Sequence, residues 1–302
     1  EAGTDIYKSY RYVGTTLDVY RTVSFPVDAL LTQRTSSGSP YFLDRMRGGN
    51  EYVSPAYASA EGTQNTAIYY FGNDHIKMGS GQIVNETQNN YLIHTFKRAP
   101  GFFDVVAYEG NGSSGRVIPH SLGVAPELLI TKCRSHGNTE WVVGVPDTGK
   151  WYRLHDNAGY AGGLSGYYSS ISSTGYSVPS GTDMNGSGRT YFAYLFATLA
   201  GVSKVGTYSG STGDVDVDCG FTTGARFILI KRHDSSGDWF VFNHASGIVQ
   251  NGNDPYMNVN NGNTEQTGEN IIEPLNSGFT VKSGAGTALN QNNNTYIFLA
   301  IA

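Results

Sequence analysis

The residues that most resemble a metal site are Asp214, Asp216 and Asp218 in Asp214-Val-Asp-Val-Asp218. A calcium loop of the EF-hand type can start this way, but it needs Gly at its sixth position and Glu at its twelfth. Cys219 and Ala225 stand there instead. Strand periodicity puts the three aspartates on one face and Val215, Val217 and Cys219 on the other, so a solvated strand face is favoured over a Ca²⁺ or Mg²⁺ site. Gly144-Val-Pro-Asp-Thr-Gly149-Lys150 approaches a phosphate-binding loop, but Trp151 follows where a Ser or Thr would hold magnesium; a hairpin turn is expected. Cys133 and Cys219 make no metal-type pair and no disulfide framework, and read as partly buried free thiols that suit a reducing compartment. The seven histidines do not fall at metal spacings, and no nucleophile elbow or Cys-His pairing stands out. A pair of glycosidase carboxylates on distant loops would leave no sequence signature. No catalytic residue, cofactor or metal is expected.

The elements that carry these residues are strands and turns. Hydrophobic residues are 39% and charged residues 15%, below the roughly 45–50% and 25% of ordinary globular chains, and 39 Gly and 21 Tyr fill the difference. Gly, Ser, Thr and Asn are poor helix formers, which argues against a helical bundle. Aromatics at 13% and a net charge of only −5 argue against disorder. The interspersed charge gives no basic footprint for nucleic acid and no polybasic segment for an anionic membrane. The longest strongly apolar stretch, Tyr191–Ala200, is about half a transmembrane helix. The chain begins at Glu1 without a Met or a signal-peptide pattern, which suggests processing, trimming or a shifted numbering origin.

The strongest signal is repetition. Asn89-Asn-Tyr-Leu-Ile-His-Thr-Phe96, Arg189-Thr-Tyr-Phe-Ala-Tyr-Leu-Phe196 and Asn294-Thr-Tyr-Ile-Phe-Leu-Ala-Ile301 each open an apolar run with a Tyr, and each Tyr lies six residues after an Asn: Asn85/Tyr91, Asn185/Tyr191 and Asn290/Tyr296. Tyr108-Glu-Gly matches Tyr208-Ser-Gly. Leu128-Leu-Ile-Thr-Lys132 with Trp141 matches Phe227-Ile-Leu-Ile-Lys231 with Trp239. A fainter copy comprises Tyr12-Val-Gly, Phe25–Arg34 and Tyr41-Phe-Leu43, and Asp74-His-Ile-Lys77, Gly175–Val178 and Gly278–Val281 precede the three Asn. The period implies three modules, 1–101, 102–201 and 202–302, each long enough for a small independent core. Gly201-Val-Ser is the only hint of a linker, so an extended rod or arc is expected. Short strands with Gly/Asn/Ser turns predict an all-β fold of three tandem antiparallel sandwich or jelly-roll-like modules. Within them, Leu128–Lys132 should pair with Trp141–Val143, and Phe227–Lys231 with Trp239–Phe242.

Tyr69, Tyr70, Tyr152, Tyr160, Tyr167, Tyr168 and Tyr176 crowd the first two modules; Tyr suits interfaces and sugar stacking, but ordinary β propensity also explains it. Asn251, Asn253, Asn258, Asn260, Asn261 and Asn263, with Asn292–Asn294, read first as exposed turns and second as a polar recognition surface. Glycosylation sequons at Asn85, Asn111, Asn185 and Asn293 are expected by chance in so Asn- and Ser-rich a chain.

The segment Tyr108-Glu-Gly-Asn-Gly-Ser-Ser-Gly-Arg-Val-Ile-Pro-His120-Ser-Leu-Gly-Val-Ala-Pro126-Glu-Leu-Leu-Ile-Thr-Lys132, followed by Trp141-Val-Val, resembles a recurrent module of bacteriophage tail proteins. In that family a Gly-Asn-Gly turn leads into His-x-Leu-Gly-x-x-Pro, an apolar strand ending in Lys and a Trp-containing strand, and a late Asn and a Tyr-initiated strand close the module. Such modules often neighbour concanavalin-A-like lectin domains in marine and cyanobacterial phages, with no assigned enzyme activity. The second module matches well. In the third, Cys219-Gly-Phe replaces the His-containing turn. The first lacks the Gly-Asn-Gly turn and has Gln33 in place of the Lys, and this chain carries no lectin domain of its own.

The resemblance implies a non-enzymatic virion protein, a tail fibre or tail-associated appendage contributing to host attachment. A capsid decoration protein or head fibre is the alternative, and a carbohydrate-binding surface lectin is a third reading. The implied partners are other virion proteins, further copies of the chain (a trimer favoured) and a host surface glycan or receptor, without nucleic acid or membrane insertion. The residues expected to matter are structural anchors. Trp141 and Trp239 should hold equivalent cores, beside Lys132 and Lys231; Tyr91, Tyr191 and Tyr296 should open the closing strands; Asn85, Asn185 and Asn290 should satisfy backbone groups in turns.

Overall fold

Thr190–Phe196 is apolar at nearly every position, which a strand tolerates only when both of its faces are buried. The computed structural model, which describes residues 3–284 and 289–302, puts this strand second in a six-stranded antiparallel sheet, with a neighbour on either side. Glu1 lies outside the described residues. The sheet order is Phe103–Glu109, Thr190–Phe196, Leu128–Cys133, Trp141–Val145, Lys150–Arg153 and Gly162–Gly163. The first module repeats it as Tyr7–Val13, Asn90–Phe96, Ala29–Arg34, Tyr41–Asp44, Gly48–Val53 and Gly62–Thr63. The third repeats its first five positions as Ser203–Ser209, Thr295–Ile301, Phe227–Arg232, Trp239–Asn243 and Tyr256–Asn258. The fold is all-β. Among the described residues helix is confined to 3-10 turns, and no helix is long and apolar enough to cross a membrane.

Each large sheet has a small antiparallel sheet against one face. In the first module it is Val19–Thr22, His75–Met78 and Ile68–Phe71; in the second, Arg116–Pro119 and Gly175–Val178; in the third, Val215–Asp218, Gly278–Val281 and Ile272–Leu275. These pairs enclose three separate cores, around Leu30 and Ile93, around Leu129 and Leu195, and around Ile228 and Phe298.

The other faces of the three large sheets meet in one shared core. Alternate residues of the closing strands point into it: Phe96 from the first module, Phe192, Tyr194 and Phe196 from the second, and Ile297, Leu299 and Ile301 from the third. Ala193, Leu195 and Phe298, one step out of phase, face the small sheets instead. Phe103 and Phe196 stack at 4.6 Å, and Phe96 meets both Phe196 and Phe227 at under 6 Å. An apolar cavity of about 30 Å³ remains where the modules converge. This overturns the expected rod or arc, because each module leaves an apolar face that only the other two cover. The presumed linker is part of that packing: Val202 is buried and Ser203 already begins a strand.

Three equivalent backbone hydrogen bonds close the ring. Glu61 N–H donates to Arg134 O at 2.8 Å, Tyr160 N–H to His233 O at 3.1 Å, and Glu265 N–H to Thr35 O at 2.9 Å. The three acceptors occupy the same register position, immediately after the central apolar strand. First and third modules therefore touch as the consecutive pairs do.

A histidine is buried against the shared core, beside Tyr7 and Phe227. His94 is 3% exposed, its Nδ1 lies 2.8 Å from the Tyr7 hydroxyl, and its ring packs edge-on to Phe227. Burial, with the charge of His244 as a smaller cause, pushes its pKa down to about 3. The folded state therefore disfavours a proton that the unfolded chain accepts near pH 6.5. Stability from this group is fully present above pH 6.5 and is lost as pH falls toward 3. At pH 4.5 the loss is on the order of 3 kcal/mol. Urea unfolding at pH 7.5 and 4.5 should show a weaker acid loss for His94→Gln than for the parent; an equal loss in both would show that His94 is not held neutral.

Candidate functional site

The repeated motifs assemble into one corner of each module. Tyr91, Tyr191 and Tyr296 stack on Tyr12, Tyr108 and Tyr208 of the paired first strand, at 5.5, 5.1 and 4.8 Å with nearly parallel rings. Their hydroxyls accept from the N–H of Glu86, Gly186 and Gln291. Beside them Asn85, Asn185 and Asn290 make the same pair of bonds. Each Oδ1 accepts a backbone N–H from Thr15, Asn111 or Ser211, and each Nδ2 donates to the carbonyl of Leu17, Ser113 or Gly213. An Asn side chain can substitute for backbone partners in this way. The Gly of each Tyr-x-Gly motif is required by contact, since a Cβ at Gly14, Gly110 or Gly210 would lie 2.1 Å from the carbonyl oxygen of Glu86, Gly186 or Gln291. Asn85 and Asn185 are fully buried, so their sequons present no side chain for modification.

Trp141 and Trp239 hold modules together. Trp141 Nε1 donates to the carbonyls of Ser54 and Tyr57 in the first module, at 3.1 and 3.0 Å. Trp239 Nε1 donates to Arg153 O in the second, at 2.9 Å. Ser54, Arg153 and Asn258 are equivalent by register, and Asn258 O accepts from Gln33 Nε2 at 3.2 Å. Gln33 shares its register position with Lys132 and Lys231. Continuing that register puts Pro40, not Tyr41, opposite Gln33 where the other modules have tryptophan, so a side-chain amide makes the third closure. Lys132 is fully buried, with Nζ on the carbonyl and hydroxyl of Thr139. Lys231 Nζ donates to Gly237 O and reaches Asn157 O of the second module at 3.1 Å. Burial pulls both ammonium pKa values down to about 8.

The first junction also contains a buried charged set with no repeat signature. Arg47 and Asp44, both 0% exposed at the side chain, pair at 2.5 Å. Tyr194 of the second module donates to Asp44 at 2.9 Å and accepts from Arg47 at 3.1 Å, and Glu61 bridges Arg47 to Arg134. Removing one member of such a set leaves an uncompensated charge. At the third junction Arg11 and Glu265 pair through both terminal guanidinium nitrogens.

The residues with metal-like or catalytic spacing stay apart. Asp214 pairs with Lys282, Asp216 accepts from Thr280 and Asp218 accepts from the N–H of Gly220. Pro146–Thr148 is a 3-10 turn closed by Gly149 in the left-handed region at φ 63°. Cys133 and Cys219 are buried free thiols. Among the described residues no group of three or more His, Cys, Asp or Glu gathers as a metal ion requires. Of the crowded tyrosines, Tyr152, Tyr168 and Tyr176 are buried, while Tyr69, Tyr70 and Tyr160 face solvent. The asparagines of the third module are not all exposed turns, because Asn258 and Asn260 are buried. Two wide grooves stand out among the described residues. One, of about 540 Å³, carries Glu127, Asp147, Asp216 and Asp218 beside Lys204. The other, of about 500 Å³, lies at the junction of second and third modules and carries Asn157, Asp238, Tyr256, Asn258 and Gln266.

Trp239 lies in the shared core, 1% exposed, and also carries the bond to Arg153. Trp239→Ala should cost about 3–5 kcal/mol, read as a lowered urea midpoint; an unchanged midpoint would show that the indole is not an anchor.

No curated protein matches this chain. A family model matches residues 2–302, almost its whole length, and on that match the chain belongs to the family described as domain of unknown function DUF7483.

Proposed function

We propose that this chain is a non-enzymatic structural protein of the exterior of a bacteriophage virion, a tail fibre or tail-associated appendage that contributes to host attachment. The observation that carries the reading is what the recurrent residues do. Trp141, the residue that completes the phage-tail-like motif of the second module, spends its indole N–H on the first module, and Trp239 repeats this on the second. A signature made of residues that join module to module belongs to an assembly unit more naturally than to a reaction centre. The turns on the outer rim are then free to vary as contact surfaces.

A capsid decoration protein or head fibre is the second reading, and the ring favours it. Three equivalent modules closed head to tail within one chain offer three related surfaces to a local threefold of a shell. Quantitative mass spectrometry of purified virions separates the two. A tail appendage should be present at a copy number close to that of other tail proteins, whereas hundreds of copies per particle would overturn the tail assignment in favour of decoration. Absence from purified virions would overturn both.

A further inference from the structure

We propose that the groove between the second and third modules, built on Tyr256 and Asn258, is a binding site for a neutral carbohydrate. The argument comes from comparing two copies of one position. In the second module Glu140, just before Trp141, pairs with Arg153 at 3.0 Å, and the ring of Trp151 is covered by Tyr167 at 4.4 Å and by the Arg153 guanidinium at 5.3 Å. The register places Asp238, Asn258 and Tyr256 at the positions of Glu140, Arg153 and Trp151. There the closure is undone. Asp238 turns to Asn260 at 2.7 Å, and Tyr256, backed by Phe240 and Phe242 at 5.3 and 5.6 Å, lines an open groove.

Asn258 is 6% exposed, and its Nδ2 is buried without a hydrogen-bond partner. A buried donor left unpaired is unfavourable, and Asn258 belongs to the groove lining. The rest of the lining fits a polyhydroxylated ligand. Asn157 and Gln266 are exposed amides offering donors and acceptors together, Asp238 supplies a carboxylate, and Tyr256 a flat ring for the apolar face of a sugar. Asp238 is the charged side chain that lines the groove, while Lys231 sits behind the lining with its Nζ on the carbonyls of Gly237 and Asn157. About 500 Å³ is within the range of small-molecule sites. The inference deepens the attachment reading by naming a ligand class and rests on it only for its biological setting. Virion copy number is measured separately, so either can fail without the other.

The test is saturation-transfer NMR of the whole chain with methyl glycosides of glucose, galactose, mannose, N-acetylglucosamine and rhamnose, and with glucuronate as the anionic counterpart. At least one neutral glycoside should receive saturation, more strongly than glucuronate, and Gln266→Ala should weaken its binding at least fivefold. The double variant Asp238→Glu/Asn258→Arg, which copies the ion pair of the second module, should keep the melting temperature and abolish transfer. Gln266 is exposed, so its variant tests the groove even if the double variant fails to fold. Absence of transfer from every neutral glycoside, or undiminished transfer in Gln266→Ala, overturns the proposal.

Discussion

The central strands must bury two faces, and one module has material to cover only one. Its small sheet closes the outer face around residues such as Leu195 or Phe298. The inner face, with Phe96, Phe196 and Leu299, can leave water only against the other two modules. Fully burying a side chain of this kind stabilises by roughly 1.5–3 kcal/mol, and each module contributes several. The ring is therefore a consequence of strand composition, and the polar junctions are built around it.

Those junctions share one scaffold and differ in chemistry. The same backbone hydrogen bond and the same acceptor carbonyl recur at all three, at Ser54, Arg153 and Asn258. Around them, the first junction encloses Arg47, Asp44 and Tyr194, the second uses Lys231 and the contact between Tyr152 and His233, and the third uses Arg11 and Glu265. Repetition fixes the geometry, and divergence makes each pairing specific, as buried polar groups can do at some cost in stability. The open groove at Asn258 follows the same pattern, with an ion pair kept in one copy and given up in the next.

Period and strand pairing were legible in the sequence because they rest on local spacing: Tyr six residues after Asn, Lys at the end of an apolar run, Trp across a polar turn. The all-β fold and the Leu128–Cys133/Trp141–Val145 hairpin follow from such patterns. The ring did not. A continuous apolar run such as Thr190–Phe196 says that both faces are covered but not by what, and tandem modules with separate cores satisfy the same pattern. The Arg47–Asp44–Tyr194 set joins residues about 150 positions apart with no repeated counterpart, and local spacing cannot reveal such a pair. The groove was half legible: the asparagines were conspicuous, but the unpaired Asn258 amide appears only when two copies are superposed by register.

The central claim is that three modules form one cooperative structure around a shared core. Differential scanning calorimetry of the whole chain tests it most directly. One transition, with a calorimetric enthalpy equal to its van't Hoff enthalpy, is the predicted result. Two or three resolved transitions, or a calorimetric enthalpy about three times the van't Hoff value, would mean that the modules unfold independently and would contradict the account.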